Sequence, residues 1–157
     1  PNMPASAIAE AMNQLTATRH DRSIVGANQE MYTLIRDGVT LEITNRFGKR
    51  EPATVRVIDF HDPDHTQNDY LVVSQLWIQG EVIRRRPDLM VYVNGLPLVF
   101  IELKNSNVAL RNAYDDNLTN YRRDIPLLFH ANAVCILSNG LETKVGSFLA
   151  GWEHFFN

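Results

Sequence analysis

The sequence has little cysteine, no long apolar run and no excess of positive charge. Its one cysteine, Cys135, excludes an intrachain disulfide and a cysteine-ligated zinc site. No apolar stretch approaches the roughly 18 residues that span a bilayer, and the N-terminal residues lack a signal-peptide pattern. The formal net charge of −3 argues against a general polyanion-coating protein but is compatible with a local basic site. We therefore expect a cytoplasmic protein without a membrane segment.

The length and composition fit a globular fold with a buried core. The 157 residues are 45% hydrophobic and 21% charged, which is ordinary for such a domain. We expect residues 1–22 to form an N-terminal arm and residues 23–157 to form one domain. The periodicities predict a helix, several strands, a second helix and a further strand, in that order. This order predicts an α/β (α+β) fold with a central mixed β-sheet flanked by helices.

A predicted β-hairpin occupies the middle of the chain, where two apolar runs flank Asn94-Gly95. This dipeptide accepts positive φ at low cost and is a strong hairpin signal. With a three-residue loop, Asn94 to Leu96, Asp88 lies directly opposite Glu102. Because side chains alternate along a strand, Lys104 shares the face of Glu102. The hairpin is therefore expected to bring two carboxylates and an amine together at its open end.

Directly opposed like charges destabilise a β-ladder, unless a divalent cation lies between them. Mg²⁺ takes oxygen ligands, so Asp88 and Glu102 are candidate metal ligands and the backbone carbonyl of Leu103 is a candidate third ligand. Lys104 would orient or help to deprotonate a water molecule, or stabilise phosphate charge. The alternative is a strand edge that is blunted by charge and performs no chemistry.

A helix predicted over residues 108–123 follows the hairpin and is expected to cross over to the strand near Ala133. The spacing of Ala109, Asn117 and Tyr121 by multiples of four places them on one face of that helix. Tyr121 would then lie near the catalytic end of the hairpin. The alternative for Tyr121 is a tyrosine at the edge of the core.

Two arginine runs are candidate phosphate contacts. They are Arg84, Arg85 and Arg86 before the hairpin, and Arg122 and Arg123 on the predicted helix. Both runs are also compatible with a solvated basic face, and Arg86 is close enough in sequence to pair with Asp88. The polar loop of residues 61–69, with His61, Asp62, Asp64 and His65, is compatible with a metal loop, although a plain polar turn is favoured.

Several motifs closely resemble, in order, the N-terminal nuclease domain of the restriction (R) subunit of type I restriction–modification enzymes. That domain belongs to the PD-(D/E)XK nuclease superfamily, and the likeness covers about residues 28–156. The motifs that carry it are Ile58-Asp59-Phe60, Asn68-Asp69-Tyr70, Arg86-Pro87-Asp88, Asn94-Gly95-Leu96-Pro97-Leu98, Glu102-Leu103-Lys104-Asn105, Tyr121 to Phe129 and Ser138-Asn139-Gly140.

The resemblance implies Mg²⁺-dependent cleavage of DNA, with Asp88 and Glu102 as metal ligands and Lys104 as the catalytic lysine. The family also carries a Gln-x-x-x-Tyr motif on the helix after that lysine. Tyr121 matches it, whereas Asn117 stands in place of the glutamine with a side chain one methylene shorter, which leaves its role open. Some nucleases of this superfamily use a further upstream acid, for which Glu30 and Glu42 are the candidates here.

The resembling subunits are much longer and carry an ATP-driven DNA translocase, so we expect this chain to be a piece of such a subunit. It has no G-x-x-x-x-G-K-[ST] motif, so ATP binding is not expected in this stretch. The expected partners are double-stranded DNA and the modification and specificity subunits. No sequence-reading element stands out, which predicts cleavage without sequence specificity of its own. The alternatives are a non-cleaving module that docks on DNA or a subunit, and a stand-alone nuclease.

Overall fold

The structure, a computed structural model, describes residues 3–19, 21–61, 64 and 66–157. Its contacts divide the chain into two compact units, residues 1–68 and residues 69–157. The division into an arm and one domain stays a prediction, although residues 5–16 of the predicted arm form a helix. Among the described residues, no helix is both long enough and apolar enough to cross a membrane.

The first unit consists of two helices and one β-hairpin. Its elements are α1 (Ala5–Thr16), α2 (Ile24–Asp37), β1 (Val39–Thr44) and β2 (Arg50–Val55). Helix α1 packs on both strands and buries Ala7, Ala11 and Leu15, which recur every four residues along one face. The Ser23 hydroxyl accepts a hydrogen bond from the Gly26 N–H and thereby caps the start of α2.

The second unit is built on a five-stranded mixed sheet. The strands of this unit are β3 (Tyr70–Ser74), β4 (Ile78–Gln79), β5 (Arg84–Arg85), β6 (Leu89–Val93), β7 (Leu96–Leu103), β8 (Val134–Ser138) and β9 (Thr143–Gly146), of which β4 and β5 lie outside the five-stranded sheet. The sheet order is β3-β6-β7-β8-β9, with β7 and β8 parallel and the other pairs antiparallel, while β4 and β5 pair separately. The predicted mixed α/β organisation is confirmed.

Aromatic side chains fill the core beside the central strand β7. Phe100 of β7 is fully buried, and its ring contacts Tyr121 edge to face and Phe129 at a tilt, each with centroids 5.7 Å apart. Phe129 in turn stacks on Phe148 with the centroids 5.3 Å apart. These contacts hold the segment that follows β7 against the face of the sheet on which Phe100 lies.

The predicted crossover between β7 and β8 is confirmed, but the helix within it differs from the prediction. A π-helical segment, Ala113–Leu118, leads into the short helix α3 (Thr119–Asp124), and a 3₁₀ turn follows at Pro126–Phe129. A second 3₁₀ turn, Trp152–His154, lies after β9 and outside the crossover. Ala109 precedes the π-helical segment and is exposed, because the polar residues after β7 form a turn instead of a cap. It therefore does not share the buried face that the spacing predicted.

The β6–β7 hairpin has a two-residue turn, so the predicted three-residue loop is wrong. Asn94 and Gly95 have φ of 50° and 80°, and Val93 pairs with Leu96. Leu98 is a β-bulge that adds one residue to β7, and its carbonyl accepts hydrogen bonds from the Asn132 side chain and the Ala133 N–H. Beyond the bulge the register is the one that the longer loop would have given.

The chain leaves the sheet after β3. Gln75 adopts φ of 52°, which breaks the strand and sends the chain into the β4–β5 hairpin. The Gln75 N–H donates to the Asp88 carbonyl (2.9 Å), so the excursion starts and ends at the same point of the sheet. The predicted Asp88 position is thereby fixed by two strands.

We predict that Phe100→Ala lowers the free energy of unfolding of the second unit by about 3–5 kcal/mol, because it empties a fully buried ring site. Urea unfolding followed by tryptophan fluorescence reports on this unit, since both tryptophans lie in it. Phe156→Ala, which removes an exposed ring of the same unit, is the control and should change stability by less than about 0.5 kcal/mol. Equal losses in the two variants would contradict the packing described.

Candidate active site

Asp88 lies immediately before β6 and is bonded to both neighbouring strands. Its carboxylate oxygen Oδ2 accepts from the Leu103 N–H at 2.8 Å, and its carbonyl accepts from Gln75. Leu89–Ile101 is the β6–β7 pair next to Asp88. The same register, continued by one residue, places Asp88 opposite Glu102. The predicted juxtaposition of the two acids is therefore present in the backbone pairing.

Glu102 of β7 is a buried carboxylate with one free oxygen. Its side chain is 3% exposed, and Oε1 accepts a hydrogen bond from the Lys104 ammonium at 3.0 Å. Among the described atoms, Oε2 is buried and has no hydrogen-bond partner. Burial raises the pKa of Glu102 to about 7, and the negative charge of Asp88 adds to this rise. The bond from the Lys104 ammonium and the nearby backbone N–H of Asp88 oppose it.

Lys104 borders an open cleft at the end of the central strand. The cleft has a volume of about 690 Å³ and is lined by Ser74, Gln75, Asp88, Leu89, Leu103, Lys104, Asn105 and Val108. Lys104 is 20% exposed, whereas the side chain of the intervening Leu103 is exposed. The alternation of β7 thus places Glu102 and Lys104 on one side and Leu103 on the other, as predicted.

The donor set at this cleft fits a hard divalent cation. Such a cation takes oxygen ligands, typically one or two carboxylates together with water and phosphate. Asp88 lines the cleft, and Glu102 lies buried next to the lining residues Leu103 and Lys104. Among the described residues, its Oε2 is an acceptor that lacks a donor. No group of three or more His, Cys, Asp or Glu side chains gathers in the described part of the chain. The carbonyl of Leu103 as a ligand stays a prediction.

Tyr121 and Asn117 contact each other beside the backbone that leads to Asp88. The Tyr121 hydroxyl donates to the Arg86 carbonyl at 3.3 Å and accepts from Asn117 Nδ2 at 3.4 Å. Burial raises the pKa of Tyr121, and the nearby charges of Glu102 and Asp88 raise it further. Tyr121 is thus both a core-edge side chain and a neighbour of the carboxylates, and Asn117 reaches it in spite of its shorter side chain.

Three of the five predicted DNA-binding arginines donate hydrogen bonds to oxygen acceptors of the protein. Arg85 donates from Nε to Asp124 Oδ2 at 2.7 Å, and Arg123 donates to the other oxygen of Asp124 at 2.8 Å. Arg122 donates to the Phe148 carbonyl at 2.7 Å. The DNA-binding role of these three arginines stays a prediction, and each already has a place in the fold.

Arg84 and Arg86 are exposed and lie on either side of Arg85 in sequence. Their guanidinium carbons lie 4.5 Å and 5.2 Å from the centre of the Trp77 ring. The ion pairs among the described residues do not include Arg86 with Asp88, so that alternative for Arg86 is wrong. These two arginines remain the available cations near the cleft among those that the sequence singles out.

The candidate upstream acids lie in the first unit. Glu30 of α2 forms ion pairs with Arg22 at 3.0 Å and with Arg19 at 3.4 Å. Glu42 lies on β1 and is exposed. A role for either residue in catalysis stays a prediction. The metal-loop alternative includes Asp62 and His65, which lie outside the described residues, as do Pro1, Asn2 and His20 of the predicted arm.

Two residues near the site escaped the sequence analysis. Gln75 lines the cleft, and no sequence signal predicts a positive φ for glutamine. Trp77 lies seven residues before Arg84 and is separated from it by Gly80, which is the spacing of a short hairpin. A tryptophan followed by a glycine turn and then by a basic run is the signal that would have indicated it.

Comparisons with known proteins agree on one family. The family model described as Type I restriction enzyme R protein N terminus matches residues 2–154. The chain is 36% identical over 161 aligned positions to the type I restriction enzyme HindI endonuclease subunit of Haemophilus influenzae, which covers 99% of the chain. It is 35% identical over 130 residues, 80% of the chain, to a Methanocaldococcus jannaschii protein whose name assigns it as the type I restriction enzyme MjaIXP endonuclease subunit.

The aligned regions are a small part of these relatives. They cover 15% of the Haemophilus influenzae protein and 12% of the Methanocaldococcus jannaschii protein.

We predict that Glu102→Gln removes a pH dependence of stability. Because the folded chain holds the Glu102 proton up to a pKa of about 7, and a glutamate in the unfolded chain has its ordinary lower pKa, the folded state loses stability as pH rises from about 4.5 to about 7. The loss amounts to up to about 3 kcal/mol. Urea unfolding at pH 5 and pH 8 should show it in the unchanged chain and in Glu142→Gln, but not in Glu102→Gln. The same pH dependence of stability in all three chains would contradict a raised pKa for the buried Glu102 carboxylate.

Proposed function

This chain belongs to the family of type I restriction enzyme R protein N termini, and from that premise we propose that it is a Mg²⁺-dependent DNA endonuclease domain. The family has the PD-(D/E)XK nuclease fold, with which the mixed sheet agrees. In this proposal the domain hydrolyses phosphodiester bonds of DNA at the cleft bordered by Asp88 and Lys104.

The observation that carries the proposal is the unpartnered, buried oxygen of Glu102. A buried carboxylate oxygen without a donor is costly, unless a cation completes its environment. Asp88 supplies a second carboxylate for a metal ion, and Lys104 supplies a positive charge for the phosphate. A strand edge blunted by charge would leave its acids in water, whereas Glu102 is out of water.

We propose that Asp88 and Glu102 hold the metal, with the carbonyl of Leu103 as a further ligand. A bound Mg²⁺ supplies Lewis-acid polarisation of the phosphate and lowers the pKa of a bound water. The Lys104 ammonium, held 3.0 Å from Glu102 Oε1, stabilises the charge that develops on the phosphate and orients the attacking water. Tyr121, steadied by Asn117, holds the Arg86 carbonyl and so positions the backbone that enters Asp88.

The proposed substrate is double-stranded DNA, cut without sequence specificity by this domain. The relatives named as endonuclease subunits are several times longer than the aligned region, so we propose that the chain is the nuclease part of a cytoplasmic R subunit. ATP binding and translocation would then belong to the remaining sequence. The modification and specificity subunits would be the protein partners that determine where the DNA is cut.

We predict that Lys104→Ala, in an R subunit assembled with its partner subunits, lowers Mg²⁺-dependent DNA cleavage at least about 100-fold, because a charge that stabilises the transition state is lost. Linearisation of a circular plasmid measures this rate. Lys144→Ala is a matched control, since Lys144 is a lysine of the same sheet that is 17% exposed and also pairs with a glutamate. Cleavage that survives Lys104→Ala would reject the assignment of Lys104 to the active site.

We predict that Mg²⁺ binds this chain more tightly as pH rises through about 7. A metal ion must displace the proton that Glu102 retains below that pH, so binding at pH 6 should release a proton and should be weaker than at pH 8. Calorimetric titrations in buffers of different ionisation enthalpy measure the proton count. Glu102→Gln should abolish the binding, and Glu142→Gln should not. Metal binding that is independent of pH and of Glu102 would show that the ion binds elsewhere.

A further inference from the structure

The β4–β5 hairpin is fastened to the fold at its base and at its turn. The bond from Gln75 to the Asp88 carbonyl closes the base beside the cleft. Gly80 lies against the Asp124 carbonyl so closely that a methyl group there would collide with it. Arg85 is tied to the same Asp124 by an ion pair. The hairpin is therefore a rigid extension of the end of α3.

The opposite side of this hairpin presents an aromatic ring together with two cations that contact it. Arg84 and Arg86 are two residues apart and project to the side that Arg85 does not use. Both guanidinium groups contact the ring of Trp77, which is 54% exposed. The other tryptophan, Trp152, instead packs against neighbouring aromatic rings of the fold.

The two arginines are cations that the protein itself does not neutralise. Among the described residues, neither Arg84 nor Arg86 has a carboxylate within ion-pair distance. They lie four and two residues before Asp88, in a chain whose formal net charge is −3. Since the two acids of the cleft repel a polyanion, positive charge placed beside them would favour the approach of one.

We propose that Trp77, Arg84 and Arg86 form a nucleotide platform that binds one unpaired nucleotide of a DNA strand beside the cleft. The two guanidinium groups leave the Trp77 ring for the phosphates on either side of the base, and the indole face that they uncover stacks on the base. This inference rests on the proposed function for the identity of the ligand as DNA. Trp77 joins the candidate DNA-binding residues, and the arginine run divides into one residue that anchors the hairpin, Arg85, and two residues that bind DNA, Arg84 and Arg86.

The platform favours an unpaired strand because of where the base faces are accessible. In an intact duplex each base face is covered by its neighbours, and Trp77 would reach a face only if the stack opened, at a cost. A single strand exposes its bases without that cost, and every base offers a face for stacking. The platform is therefore expected to bind strands with little dependence on sequence and to prefer frayed or single-stranded DNA over closed duplex.

The test uses Trp152→Phe, in which Trp77 is the one remaining tryptophan. Titration with a short oligothymidylate in the absence of metal should quench the Trp77 fluorescence, and a duplex of equal length should bind more weakly and quench less. In fluorescence anisotropy with a labelled oligothymidylate, Trp77→Ala should weaken binding about tenfold. Arg84→Ala and Arg86→Ala should each lower the salt dependence of log K by about 0.7.

Arg111→Ala is the matched control, because Arg111 is an exposed arginine whose guanidinium group also lies over a tryptophan, Trp152. It should change neither the affinity nor the salt dependence. Binding without quenching, equal binding of duplex and single strand, or unchanged binding by Trp77→Ala would overturn the platform and leave a backbone contact at most. Cleavage that survives Lys104→Ala would reject the assignment of Lys104 to the active site instead, and the oligothymidylate titration does not depend on that result.

Discussion

The hydrogen bond between Glu102 and Lys104 occupies one oxygen of a buried carboxylate, and no described residue donates a hydrogen bond to the other oxygen. The rest of the site depends on this arrangement. Taking a carboxylate out of water is unfavourable, and one ammonium group does not fully offset the cost, so the pKa of Glu102 rises to about 7. The surrounding core, packed around Phe100 of the same strand, must supply the stability that this group withdraws. A site that is costly without a ligand is well suited to bind a cation.

A single extra residue in β7 sets the partner of Glu102. The two-residue turn at Asn94-Gly95 alone would place Asp88 opposite Ile101, on the register that Val93 and Leu96 begin. The bulge at Leu98 moves the pairing by one residue and brings the two acids opposite each other. Hydrogen bonds from the segment before β8 to the Leu98 carbonyl anchor that bulge. The cleft is therefore specified jointly by the hairpin and by the parallel strand that follows the crossover.

Local rules were sufficient wherever neighbouring residues decide the structure. The hairpin followed from Asn94-Gly95, the shared face of Glu102 and Lys104 from strand alternation, and the mixed sheet from the order of elements. The bulge at Leu98 depends on a segment more than 30 residues away, and the separation of Arg85 from its two neighbours depends on Asp124, 39 positions later. The predicted three-residue loop gave the correct opposition of acids for the wrong reason, because loop and bulge each add one residue.

We propose that Asp88 and Glu102 share one divalent cation. Crystals of this chain grown with Mn²⁺, which scatters anomalously and substitutes for Mg²⁺ at oxygen sites, would show whether they do. We expect one anomalous peak within about 2.5 Å of Glu102 Oε2 and of an Asp88 carboxylate oxygen. An anomalous map without a peak at this cleft, with Oε2 bonded to a protein donor instead, would contradict it.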